Sequence, residues 1–117
     1  TKRGRAAAGL AVKTLGERKH QWHSVFATTI NHPATLWRGL ARFAGAHIYS
    51  HDGDVLMADR NLVALHGSTS GTRTVQLPQP ASVAELTGSF CDFDTDGPTI
   101  RFTPPPTPWT CLFRVQE

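Results

Sequence analysis

Carboxylates of the catalytic kind are scarce in this chain. It has three glutamates, Glu17, Glu85 and Glu117, and none lies in an apolar run that would raise a carboxyl pKa. Paired acids for glycoside hydrolysis stand about 5–10 Å apart on a rigid scaffold, whereas the other acids here are aspartates in turn-forming stretches. There is no G-x-S-x-G elbow, no G-x-x-x-x-G-K-[ST] loop and no G-x-G-x-x-G turn, so nucleophilic hydrolysis, nucleotide-phosphate binding and dinucleotide binding lack their usual starting points. No apolar stretch approaches the roughly 18 residues that a membrane-spanning helix needs. The two cysteines, Cys91 and Cys111, form no C-x-x-C pair. They could pair if neighbouring strands brought them together, but the expectation is two buried free thiols in a reducing compartment, hence the cytoplasm. No Met precedes Thr1-Lys2-Arg3-Gly4-Arg5, and no signal-type apolar core follows. The chain is therefore expected to be processed or to be a piece of something longer.

What is present reads as ordinary globular protein, with 39% hydrophobic and 18% charged residues over 117 positions. That length suits one small domain and is far short of the roughly 250 residues of a (β/α)₈ barrel. The charge is divided. Residues 1–45 carry eight Lys/Arg (Lys2, Arg3, Arg5, Lys13, Arg18, Lys19, Arg38, Arg42) against Glu17 alone, and residues 46–117 carry four Arg against eight Asp/Glu. A basic first third raises the question of a nucleic-acid partner. None is expected, because the charges spread over two anticipated helices and no nucleic-acid-reading motif accompanies them.

Residues 5–16 read as a short helix with Leu10, Val12 and Leu15 apolar and Gly16 past its end. Residues 22–29 read as a strand rich in Trp22, Val25, Phe26 and Thr28. Asn31-His32-Pro33 opens a helix in which Leu36, Trp37, Leu40 and Phe43 recur at helical spacing, with Gly45 after it. The first third is thus expected to be α-β-α. From Ala46 onward, short apolar runs alternate with turn signals, as in an antiparallel β-sandwich. About eight short strands are expected: 46–50, 55–58, 62–66, 72–77, 83–86, 89–93, 99–103 and 109–115. The second of the 62–66 and 72–77 pair is expected to close a hairpin across Gly67–Gly71. Pro104-Pro105-Pro106 with Pro108 is a stiff connector before the last strand.

Four groups of residues could carry function. Asp92-x-Asp94-x-Asp96-Gly97 matches the first half of a calcium loop, where alternate oxygens converge on a hard cation. Pro98 and Thr103 fail the second half, so an acidic hairpin turn is the simpler reading and weak calcium binding the alternative. Asp52-Gly53-Asp54 reads as a turn. His47, His51 and His66 could gather on zinc, although His47 and His51 are spaced for a helix and sit on an expected strand and turn. Trp109, after the proline run near a sheet edge, is the best candidate for a carbohydrate-stacking platform, with Tyr49 beside it. Trp22 and Trp37 are expected to be core residues.

The stretch Leu36-Trp37-Arg38-Gly39-Leu40-Ala41-Arg42-Phe43-Ala44-Gly45-Ala46-His47-Ile48-Tyr49-Ser50, continuing through Gly53-Asp54-Val55-Leu56-Met57-Ala58-Asp59-Arg60-Asn61 to Leu62–Gly67 and Gly71–Pro78, resembles the C-terminal end of bacterial β-galactosidase-like glycoside hydrolases. Those enzymes join a catalytic (β/α)₈ barrel to a flavodoxin- or amidotransferase-like domain and then to a small antiparallel β domain. The resemblance implies that residues 1–45 are the tail of the middle domain and residues 46–117 the β domain. The family's catalytic glutamates lie in the barrel, so no catalytic residue of this chain is implied. The expected role is a non-catalytic accessory module of a glycoside hydrolase, with the barrel or other subunits as partners. A free-standing, calcium-assisted carbohydrate-binding sandwich is the alternative.

Overall fold

The computed structural model describes residues 9–88 and 91–116. The chain is mainly β and divides into two units, residues 1–46 and 47–117. The division falls within one residue of the boundary drawn from the change in pattern at Ala46. No helix of the described residues is long and apolar enough to cross a membrane.

In the first unit, β1 (Leu10–Leu15) and β2 (Trp22–Ala27) form an antiparallel hairpin, and α1 (Ala34–Phe43) follows. The order is β-β-α rather than α-β-α. Residues 10–15 were expected to be helical, and the part of that helix at residues 5–8 lies outside the described residues. The alanines before Gly9 favour a helix, but Val12 and Thr14 are β-branched, and pairing with β2 from Leu10↔Ala27 to Leu15↔Trp22 decides the conformation. Helix α1 begins after Pro33, whose missing N–H costs nothing there, and its last carbonyls are bonded by the Ala44 and Gly45 amides.

The second unit is a β-sandwich of seven described strands: β3 (Val55–Ala58), β4 (Leu62–Gly67), β5 (Arg73–Gln76), β6 (Ser82–Glu85), β7 (Asp92–Asp96), β8 (Thr99–Thr103) and β9 (Trp109–Gln116). One sheet has the order β3-β4-β9-β6 and the other β5-β8-β7, all antiparallel. Alternation sets the faces. Val63 and Leu65 on β4, Ile100 and Phe102 on β8, and Trp109, Cys111, Phe113 and Val115 on β9 point inward and form one core with Val75, Leu77 and Cys91. Phe113 meets Phe93 and Phe102 at ring separations of 5.6 and 5.2 Å.

Three expectations are corrected here. Residues 46–50 are not a strand: the segment lies along β5 with one backbone bond, Gln76 N–H to the Tyr49 carbonyl at 2.7 Å. The runs 62–66 and 72–77 do not form a hairpin, because β4 is paired on both sides, by β3 and β9, and β5 crosses to the other sheet beside β8. The expected strand at 89–93 begins instead at Asp92, with residues 89 and 90 outside the described set. β7 is joined to β8 by the two-residue turn Gly97-Pro98, where Gly97 takes φ +57°, a conformation that glycine adopts without strain.

Cys91 and Cys111 are joined in a disulfide, so the expectation of free thiols is also corrected. The bridge ties β9 of the four-stranded sheet to the residue leading into β7 of the three-stranded one.

Candidate functional site

Trp109 is not a platform. It opens β9 with its ring 2% exposed. Its indole Nε1–H donates to the Thr69 carbonyl at 2.9 Å, the Phe102 ring meets it edge-on at 5.8 Å, and the Arg73 guanidinium lies 5.4 Å from its centroid. The ring is buried because β9 is central to its sheet, and alternation turns residues 109, 111, 113 and 115 inward. Proximity to the proline run gave the opposite expectation.

Arg73 is the polar centre of this region. Its Nε donates to Asp54 Oδ2 at 2.5 Å, in a pair whose side chains are each 7% exposed. Nη1 donates to the carbonyls of Ser70 and Gly71 at 3.1 and 2.8 Å, and Nη2 to the Thr69 carbonyl and hydroxyl at 3.1 and 2.7 Å. A guanidinium has five N–H donors, and these acceptors occupy them. The hydrogen bond to Asp54 raises the Arg73 pKa; burial opposes it, and the Asp54 and Asp52 charges add to it. The cluster holds the loop that carries the chain between sheets. It has no free donor for a ligand and no group placed for proton transfer.

Asp92, Asp94 and Asp96 are all on β7, exposed on one face, opposite Thr103, Arg101 and Thr99 of β8. Alternate residues of a strand sit about 6.6 Å apart, whereas calcium takes its oxygens at about 2.3–2.6 Å from a common centre. The loop reading of this motif is therefore corrected to an acidic strand face. Among the described residues no group of three or more His, Cys, Asp or Glu is gathered to hold a metal ion. His47 and His66 bond elsewhere, to the Gln76 carbonyl at 2.6 Å and the Thr110 hydroxyl at 2.9 Å.

Tyr49 is half-buried, packed against the core with its ring edge-on to His47 at 4.7 Å. It lines a pocket of about 90 Å³ with Asp59, Arg60, Gln79 and Val115. Small-molecule sites commonly hold about 300–1,000 Å³, so this pocket does not enclose a sugar ring. Asp59 Oδ1 is already bonded to the Asn61 and Leu62 amides, each at 2.8 Å.

The first unit has a different character. None of its described residues is buried. Trp22 is 55% exposed, Phe26 67%, Ile30 86% and Trp37 59%, so the expectation that Trp22 and Trp37 are core residues is corrected. Alternation along β2 places Trp22, Ser24 and Phe26 on one face of the hairpin, with Lys13 opposite Ser24. The other face meets α1, where His23 and Phe43 stand 4.6 Å apart. His32 Nε2 is buried without a hydrogen-bond partner, beside the Trp37 ring. Sequence reasoning missed this uncovered face because it took residues 10–15 as a helix. The signal was in the β-branched alternation of Val12 and Thr14.

No protein-family model, curated protein or solved structure matches the chain.

Proposed function

We propose that the chain is a non-catalytic accessory module, in which the β-sandwich of residues 47–117 is a self-contained scaffold and residues 9–46 pack on a larger protein body. One observation carries this reading: residues 9–46 form a hairpin and a helix in which no residue is fully buried, and they leave Trp22, Phe26, Ile30, Trp37 and Phe43 more than half exposed. A unit that covers so little apolar surface gains little from folding by itself. Contiguous exposed apolar residues rimmed by charge mark protein interfaces. Residues 9–46 carry the cations Lys13, Arg18, Lys19, Arg38 and Arg42 against the single acid Glu17. That the body is the barrel or another subunit of a β-galactosidase-like glycoside hydrolase rests on the resemblance of residues 36–78 and on nothing further. The cytoplasmic location proposed with it rested on free thiols. The Cys91–Cys111 bridge removes that support, since such bridges persist in oxidising surroundings.

The carbohydrate-binding alternative loses its main residues, because Trp109 is buried and the three aspartates diverge along β7. Thermal unfolding of the chain with galactosides and calcium tests the choice. A ligand that binds only the folded state raises the midpoint. The accessory reading expects no shift. A shift abolished by Tyr49→Ala would overturn it in favour of a lectin.

A further inference from the structure

Register puts a cation among the aromatics of the hairpin's outer face. Leu15 pairs with Trp22, Lys13 with Ser24 and Ala11 with Phe26, and directly paired residues share a face. Trp22 and Phe26 stand four residues apart along β2, about 13 Å at the strand rise, with Lys13 and Ser24 in the row between them. Lys13, Ser24 and both aromatic residues are exposed. Beyond the Trp22 end, the turn between the strands carries Arg18, Lys19 and His20, all exposed, and the His20 amide closes it on the Glu17 carbonyl at 2.7 Å. One ground for expecting no nucleic-acid partner was that the cations spread over two helices. Residues 10–15 are a strand, so that ground falls.

We propose that this face binds single-stranded nucleic acid, with bases stacked on Trp22 and Phe26 and phosphates held by Lys13, Arg18 and Lys19. Such a ligand needs a basic track for its backbone and flat rings for its unpaired bases, and both lie on this side of the hairpin. Lys13 decides against the other occupants. An apolar protein patch laid over the face would bury the ammonium between two rings, and a buried charge without a partner is costly. A lipid surface would also desolvate the strand edges. Among the described residues β1 and β2 pair only with each other, and unpaired backbone groups are not tolerated in hydrocarbon. A single strand brings a phosphate to Lys13 and leaves both edges in water. The inference does not rest on the docking reading for residues 9–46, which Ile30, Trp37 and Phe43 carry without this face.

Fluorescence anisotropy of labelled oligothymidylate and oligouridylate, each about 15 nucleotides long, titrated with the full chain, tests it. The variants are Trp22→Ala, Phe26→Ala and Lys13→Gln, with Met57→Ala on the sandwich as the control. All four change exposed side chains, and near-ultraviolet circular dichroism checks their folding. The expected result is binding of at least one oligonucleotide that each aromatic variant weakens about tenfold and that Met57→Ala leaves unchanged. Three phosphate contacts should make the affinity fall about 20-fold between about 50 and 200 mM salt, and Lys13→Gln should flatten that dependence. A duplex of the same length should compete poorly, because its bases are not free to stack. No binding at low salt overturns the proposal. So does binding that is insensitive to both Trp22→Ala and Phe26→Ala, or equal competition by the duplex or by inorganic polyphosphate, since either makes the face a charged patch only. Binding to vesicles of phosphatidylserine and phosphatidylcholine without binding to either oligonucleotide overturns it in favour of a membrane surface.

Discussion

Arg73 and Asp54 form a buried ion pair between the two sheets. Arg73 opens β5 of one sheet, Asp54 stands immediately before β3 of the other, and each side chain is 7% exposed. Removing one partner of such a pair leaves an uncompensated buried charge and typically costs about 3–5 kcal/mol. Asp54→Ala and Arg73→Met are each expected to destabilise by about that amount in urea unfolding. Arg73→Met should be the worse of the two, because it also strands the carbonyls of Thr69, Ser70 and Gly71. Equal stability of either variant and the parent would remove the pair from its structural role.

Gly67 sits where no side chain fits. A Cβ there would overlap the Trp109 ring and come within 2.7 Å of Asp54 Oδ1. Gly67→Ala is expected to cost about 1–3 kcal/mol through forced movement of the indole. Chemical denaturation followed by tryptophan fluorescence measures the loss and reports on the Trp109 environment at the same time.

Reduction should weaken the sandwich without touching the first unit. The Cys91–Cys111 bridge closes a 20-residue separation, and loops of that size are stabilised by about 3 kcal/mol in the chain-entropy view. The expected outcome is a lower unfolding midpoint for residues 47–117 under a phosphine reductant. Mass spectrometry after thiol alkylation, showing no free cysteine before reduction, checks the bridge itself.

Acid should act through Glu85. Burial alone would push its pKa up, but bonds from the Thr87 hydroxyl, the Thr87 and Gly88 amides and Leu112 outweigh it and hold the carboxyl below its ordinary value. A carboxyl depressed in the folded state contributes stability that is present above its unfolded pKa and lost as pH falls through the folded value. Stability is therefore expected to decline from about pH 4.5 downward, and Glu85→Gln should flatten that part of the profile. An unchanged acid limb in the variant would assign the decline to other groups.

Much of the sandwich was legible because strand period and turn chemistry are local. Val55–Ala58 and Thr99–Thr103 appear where alternation and the flanking Asp, Asn and Gly residues place them. Which strands pair is a non-local matter. The run from Leu62 to Leu77 looked like a hairpin because nothing in it shows that β9, more than forty residues on, takes the second side of β4. Trp109 illustrates the same limit: its burial follows from β9 being central, which no neighbour of Trp109 in the chain encodes. Arg73 was invisible as a hub because its partners, Asp54 and the 69–71 carbonyls, read as ordinary turn residues. In the first unit, helix propensity before Gly9 and strand pairing after it compete, and pairing with β2 decided residues 10–15.

The central claim is that residues 47–117 fold on their own terms while residues 9–46 need a body to pack against. Residue-resolved native-state hydrogen exchange on the full chain tests it most directly, since local opening energies separate cooperative cores from weakly held segments. The account predicts strong, uniform protection at Val63, Leu65, Ile100, Phe102, Cys111 and Phe113, together with little protection across β1, β2 and α1. Protection of β1, β2 and α1 equal to that of β9 would contradict it.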